Sequence, residues 1–290
     1  MFTLAQILCA LVLPAALAAL LAVITRDLAR GSGRLAQGLG GVLLAAVVVV
    51  AHAATASATD ACLILPHLGW HWLPWAAALL IPLYLWATPP GWWRWALHAA
   101  ATLAGAALLL HPLSASLSLP LAIVWALAAT VTASAGTWTT LRAAGTPLSS
   151  HLATVIWLGG SAIAITATGS KDLGLLAAIP TCAVIGSGLL ARRDHPWAAG
   201  PAAASQIGAW FLLLGATYSD LPWWCAAILA VALPAGALAA SFGATRGASP
   251  RQIALLRCGI TAAVVILAVV LAATLGQPVA PASDGPDYHY

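Results

Sequence analysis

The sequence predicts an all-α, polytopic integral membrane protein of about ten transmembrane helices, with both termini outside. Three observations carry this. The 290 residues are 62% hydrophobic and 6% charged, with a mean hydropathy of +0.97. A soluble domain carries about 25% charged residues, and seven acids with eleven bases could not cover a water-soluble surface of this size. The apolar residues fall in uncharged stretches of about 20, the length that a bilayer core demands of a helix. The charges between those stretches also sort by side.

The elements follow in order, at roughly 3–25, 36–58, 68–88, 93–111, 118–137, 150–169, 173–191, 198–217, 222–243 and 252–276. No basic residue precedes the first run, and Arg26, Asp27 and Arg30 follow it. That is the reverse of a cleavable signal peptide and fits a retained helix with its N-terminus outside. Gly31 and Gly33 break it from the second run, which holds Gly38, Gly40, Gly41 and His52. The third starts among Trp70, Trp72 and Trp75 and stops at Pro89-Pro90-Gly91. The fourth opens on Trp92, Trp93, Arg94 and Trp95 and closes at His111-Pro112. Trp clusters of this kind suit helix ends, because the amphipathic indole prefers headgroup depth.

The fifth run passes into the Thr-rich residues 137–140, and Gly145-Thr146-Pro147 precedes the sixth. The seventh carries Pro180, Gly186 and Gly188, the eighth Ser205 and Gln206. Ser219-Asp220-Leu221-Pro222 opens the ninth, with Trp223 and Trp224 at its start, and the tenth takes Arg257 into its first turns. Residues 1–276 are read as one transmembrane domain and 277–290, rich in Pro, Asp and small residues, as a short flexible outer tail. Leu73-Pro74-Trp75 and Leu221-Pro222-Trp223 match one another, but they open the third and ninth helices. A five-plus-five duplication would pair the third with the eighth, so this match does not mark the internal repeat of many transporter folds.

Giving alternate loops to alternate sides puts all ten Arg on one side and Lys171 with Asp60, Asp172, Asp220, Asp284 and Asp287 on the other. The positive-inside rule then places the Arg loops in the cytoplasm of a bacterial inner membrane. The bases recur singly between apolar runs and form no patch, so nucleic acid is excluded as a partner despite a pI near 9.0. The expected partners are the lipid bilayer and, in a scaffold role, other membrane subunits.

Function is bounded mainly by what is missing. The chain has no Glu, and no Asp or Lys lies in the middle of an expected helix. Intramembrane carboxylates are the usual mark of proton and cation relays, which disfavours a coupled pump. Isolated Asp residues disfavour metal-diphosphate chemistry, and a lone Lys in a loop disfavours a retinal Schiff base. Five cysteines without a C-x-x-C pair read as small buried hydrophobes.

Histidine is the remaining candidate. His52 lies deep in the second helix, His98 near one end of the fourth, His111 at its other end, and His151 at the start of the sixth. His52 and His98 are the candidate haem-binding residues, since a buried neutral imidazole can ligate iron. His98 and His111, thirteen apart, stand on roughly opposite faces, whereas a helix carrying two haems needs its ligands on one face. Asp60, Cys62, His67 and His71 are the candidate metal ligands, with the two His four apart. Each has an ordinary structural reading beside it: an interface residue, or a His bonded to a neighbouring helix. Gln206 with Ser205 is a polar point from which a path could be lined, and Pro14, Pro180 and Pro234 are points at which a helix could kink. The leading expectation is a permease-like transporter of a neutral or lipophilic small molecule, or a membrane scaffold. The alternative is a haem- or metal-binding membrane redox subunit that uses the His residues.

Overall fold

The computed structural model describes residues 3–28, 33–57, 68–86, 92–142, 147–188 and 200–275. Among these, every long element is a helix. Helix α1 joins Leu4–Ile7, a π-helical turn Leu8–Val12 and Leu13–Leu28. It is followed by α2 Gly33–Ser57, a 3-10 turn Gly69–Trp72, α3 Leu73–Trp86, α4 Trp92–Leu110 and α5 Leu119–Arg142. Then come α6 Pro147–Ala167, α7 Lys171–Gly188, α8 Gly200–Tyr218, α9 Trp223–Thr245 and α10 Pro250–Leu275. Seven of these runs are long and apolar enough to cross a membrane: Leu4–Thr25, Gly38–Ala56, Trp95–Leu113, Leu119–Thr140, Leu148–Ala167, Trp223–Ala244 and Pro250–Leu275. This is the make-up of a multi-pass membrane protein.

Local chemistry explains several boundaries. Thr3 and Gln6 form a reciprocal cap, with Thr3 N–H donating to Gln6 Oε1 at 2.8 Å and Gln6 N–H to Thr3 Oγ1 at 3.2 Å. Ser249 and Gln252 repeat the device at the start of α10, with Pro250 as its first helical residue. The π turn sits just before Pro14, where a regular turn would press the ring on the carbonyl four residues back; there Leu13 N–H reaches Leu8 O instead. Helix α5 continues past 137 to Arg142 because its threonines spend their hydroxyls on carbonyls. Thr139 donates to Gly136 O and Thr140 to Thr137 O, both at 2.9 Å.

Cross-helix contacts show successive helices running in opposite directions. The start of α2 meets the end of α3 through Gly38 and Tyr84, and the end of α8 meets the 3-10 turn through Tyr218 and Gly69. Among the described residues, Arg26, Arg34, Arg94, Arg142, Arg246 and Arg251 therefore stand at one end of the bundle. Lys171, Asp172 and Asp220 stand at the other. We call these the Arg end and the Asp end.

Packed neighbours trace a closed circuit, α1–α2–α3–α4–α5–α9–α10–α6–α7 and back to α1, with α8 inside it. Every residue of α8 from Gly200 to Gly215 is buried. Small residues let the circuit close on it: Gly105 of α4 lies against Trp210, Gly136 of α5 against Ser205, and Gly208 of α8 against Trp157 and Leu158 of α6. Burial among protein neighbours explains why α8 is not one of the seven spans. A helix shielded from lipid needs no uniformly apolar surface, and α8 carries Ser205 and Gln206. Helix α3 fails for a different reason, since 14 residues rise only about 21 Å. The third helix is thus short and peripheral and the eighth central, which is not the equivalence a five-plus-five repeat requires.

Candidate functional site

The His candidates fall in separate places. His52 of α2 is 1% exposed, its Nδ1 has no hydrogen-bond partner among the described residues, and it lies within electrostatic reach of His71. His71 belongs to the 3-10 turn at the Asp end. Around it the Trp70 ring stands 5.9 Å from the His71 ring and 5.7 Å from that of Tyr218, and Trp72 stands 6.0 Å from His111. Asp60, Cys62 and His67 lie outside the described residues, as does the tail 276–290. Among the described residues no three His, Cys, Asp or Glu side chains converge as a metal site.

His98 is buried near the Arg end. Gly41, which packs against the Tyr84 ring beside His98, is eleven residues from His52 on the same helix. That is about 16 Å along the axis, far beyond two ligands of one iron at about 2 Å each. His98 is buried and His111 exposed, as their opposite faces lead one to expect.

His98 belongs instead to a polar network at the heart of the bundle. The Gln206 amide oxygen accepts from Tyr84 Oη at 3.0 Å. The Gln206 amide nitrogen stands 3.2 Å from His98 Nδ1 and donates to Thr102 Oγ1 at 3.1 Å. With the amide in this orientation its nitrogen donates and His98 Nδ1 accepts. Thr102 Oγ1 in turn donates to His98 O at 2.8 Å, and Trp210 Nε1 donates to Thr102 O at 3.1 Å. This network ties the central helix to α3 and α4. Gln206 and His98 were legible in the sequence as polar points inside helices. Tyr84, Thr102 and Trp210 carried no such signal, because their role arises from where other helices place them.

A second buried polar group was read in the sequence only as a base in the first turns of the last helix. Arg257 of α10 is 2% exposed, and its Nη2 donates to Thr139 O at 2.9 Å. That carbonyl lies in the last described turn of α5, toward the negative end of the helix dipole. The guanidinium therefore caps α5 from a neighbouring helix. Its Nε has no partner among the described residues.

On the other side of α8 the bundle opens. A groove of about 340 Å³ runs between α5 and α9 and reaches the central helix. Leu121, Val124 and Trp125 form one wall, Trp223 and Ala227 the other, and Ala209, Leu212 and Leu213 of α8 the floor. It exists because Ala128, Ala209, Ala226, Ala227 and Ala230 place methyl groups where larger side chains would fill the space. Apart from two indole N–H groups, the polar lining is Thr132, whose hydroxyl is spent on Ala128 O at 2.8 Å. Val124 is 59% and Trp223 69% exposed, so the groove opens sideways, where lipid would lie.

Comparison with known proteins finds no matching family model, no similar curated protein and no similar solved structure.

Proposed function

We propose that this chain is a ten-helix protein of the cytoplasmic (inner) membrane, with both termini outside and the Arg loops inside. In this reading it acts as a permease-like carrier of a neutral or lipophilic small molecule. The orientation is supported by the segregation of all ten Arg from Lys171 and five of the seven Asp. The function rests on one observation, the apolar groove between α5 and α9 that has buried residues of α8 as its floor and opens on the flank of the bundle. A concave, alanine-lined space whose polar lining is two indole N–H groups and the spent Thr132 hydroxyl accepts an apolar guest and penalises a charged one. Among the described residues, no carboxylate stands within a helix away from its ends, which suits a guest without net charge.

The experiment is binding of an apolar environment-sensitive fluorophore to the purified chain in detergent. The wild type should bind it saturably. Ala227→Trp, which fills the groove from a residue already exposed, should lose the binding while unfolding at an unchanged temperature. Equal binding by the two proteins would place the guest elsewhere.

A second reading, the haem- or metal-binding redox subunit, is favoured by the unpartnered Nδ1 of buried His52 beside His71. A Soret band or stoichiometric metal in the purified protein would select it.

A further inference from the structure

At the Asp end a second space lies beside the groove. It is a polar vestibule of about 880 Å³ between the start of α1, the turn from α6 to α7 and the turn from α8 to α9. Lys171, Asp172 and Asp220 line it, together with Tyr218, Thr168 and Gln6. Among the described residues these three charges make no ion pair with one another or with any other group. One ammonium and two carboxylates thus face a shared polar space at the depth where lipid headgroups lie.

The two spaces approach one another at one turn. Asp220 lines the vestibule and Trp223 the groove. Three residues of chain span at most about 11 Å, so a single molecule of lipid-like dimensions reaches from one into the other.

The backbone at this turn gives Asp220 an unusual setting. Leu221 N–H donates to Gly215 O at 3.1 Å and Ser219 N–H to the same oxygen at 3.2 Å, so the chain folds back over the last turn of α8. Leu221 also lies against Gly215. Between them Asp220 takes a left-handed conformation, at φ 53°, a region that favours Gly. A side chain held in this conformation on the wall of the vestibule, with no partner among the described residues, is the pattern of one kept for a ligand.

We propose that vestibule and groove form one site for a zwitterionic amphiphile: its apolar chain lies in the groove and its headgroup in the vestibule, with the anionic group on Lys171 and the ammonium on Asp172 and Asp220. This rests on the reading of the groove as the place of an apolar guest and adds the headgroup to it. An anionic headgroup without the ammonium meets two unneutralised carboxylates and is disfavoured.

The test uses the purified full chain in detergent, titrated by native mass spectrometry with phosphatidylethanolamine, phosphatidylglycerol and diacylglycerol. The wild type should prefer phosphatidylethanolamine to phosphatidylglycerol by about fivefold or more, the scale of one to two exposed ion pairs. Asp220→Gly suits the left-handed conformation and should raise the unfolding temperature. Together with Asp172→Asn it should abolish the preference while diacylglycerol still binds. Ala227→Trp should lose all three lipids. Phosphatidylglycerol binding as tightly as phosphatidylethanolamine in the wild type, or a preference that survives Asp220→Gly with Asp172→Asn, would overturn the headgroup assignment and leave the groove standing. Failure of the wild type to bind diacylglycerol or the apolar fluorophore would remove the groove itself.

Discussion

Arg257 shows how much one side chain depends on its neighbours. In the sequence it is one more base near a loop. In the structure it is buried, because α5 extends to Arg142 and brings the Thr139 carbonyl to it. A hydrogen bond from a cation to a carbonyl near a helix end is worth more than its neutral counterpart. Removing this donor costs about 1–3 kcal/mol. Arg257→Leu should therefore lower stability by about that amount in detergent unfolding, and Arg257→Lys should recover part of the loss. A neutral Arg257→Leu would mean that water reaches the carbonyl. The sequence held no signal for this contact, since the partner is a backbone atom 118 residues away.

At the scale of elements, the legible part was the helices themselves. Runs of Leu, Ala and Val between Gly, Pro and Arg punctuation marked the helical segments that the described residues form, of which seven are long and apolar enough to cross a membrane. The departures have local causes, such as the 3-10 turn Gly69–Trp72 that delays α3 to Leu73. Which helix sits in the middle was not legible, because hydropathy measures a helix against lipid and not against its neighbours. Helix α8 is held there by Gln206, whose amide joins it to Tyr84 of α3 and to His98 and Thr102 of α4. Gln206→Leu strips three partners at once and should cost about 1–3 kcal/mol, with α3 loosened first because Tyr84 is its link to the central helix through this network. Hydrogen exchange along α3 and thermal unfolding check this. Unchanged protection of α3 would assign its position to the Gly38 and Gly41 contacts with Tyr84 instead.

Among the described residues the molecule is a circuit of nine helices around one, with Arg residues toward one end, Lys171 and Asp at the other, and an apolar opening on its flank. The two ends make the topology testable. Reporter fusions after Arg34 and Arg142 should face the cytoplasm, and a fusion after Asp172 should face the outside. A cytoplasmic reporter after Asp172 would overturn the orientation. The groove had no sequence signature, because it is made of alanines and leucines like any membrane helix, and only packing separates its residues from the rest.

The direct measurement is flux. In proteoliposomes, a fluorescent apolar or lipid-like probe should equilibrate across the bilayer in the presence of the wild-type chain, at a rate insensitive to an imposed proton gradient. The rate should fall to that of empty vesicles with Ala227→Trp. Flux that survives Ala227→Trp, or that follows the gradient and disappears with His52→Ala in a folded protein, would contradict an uncoupled carrier working through the groove.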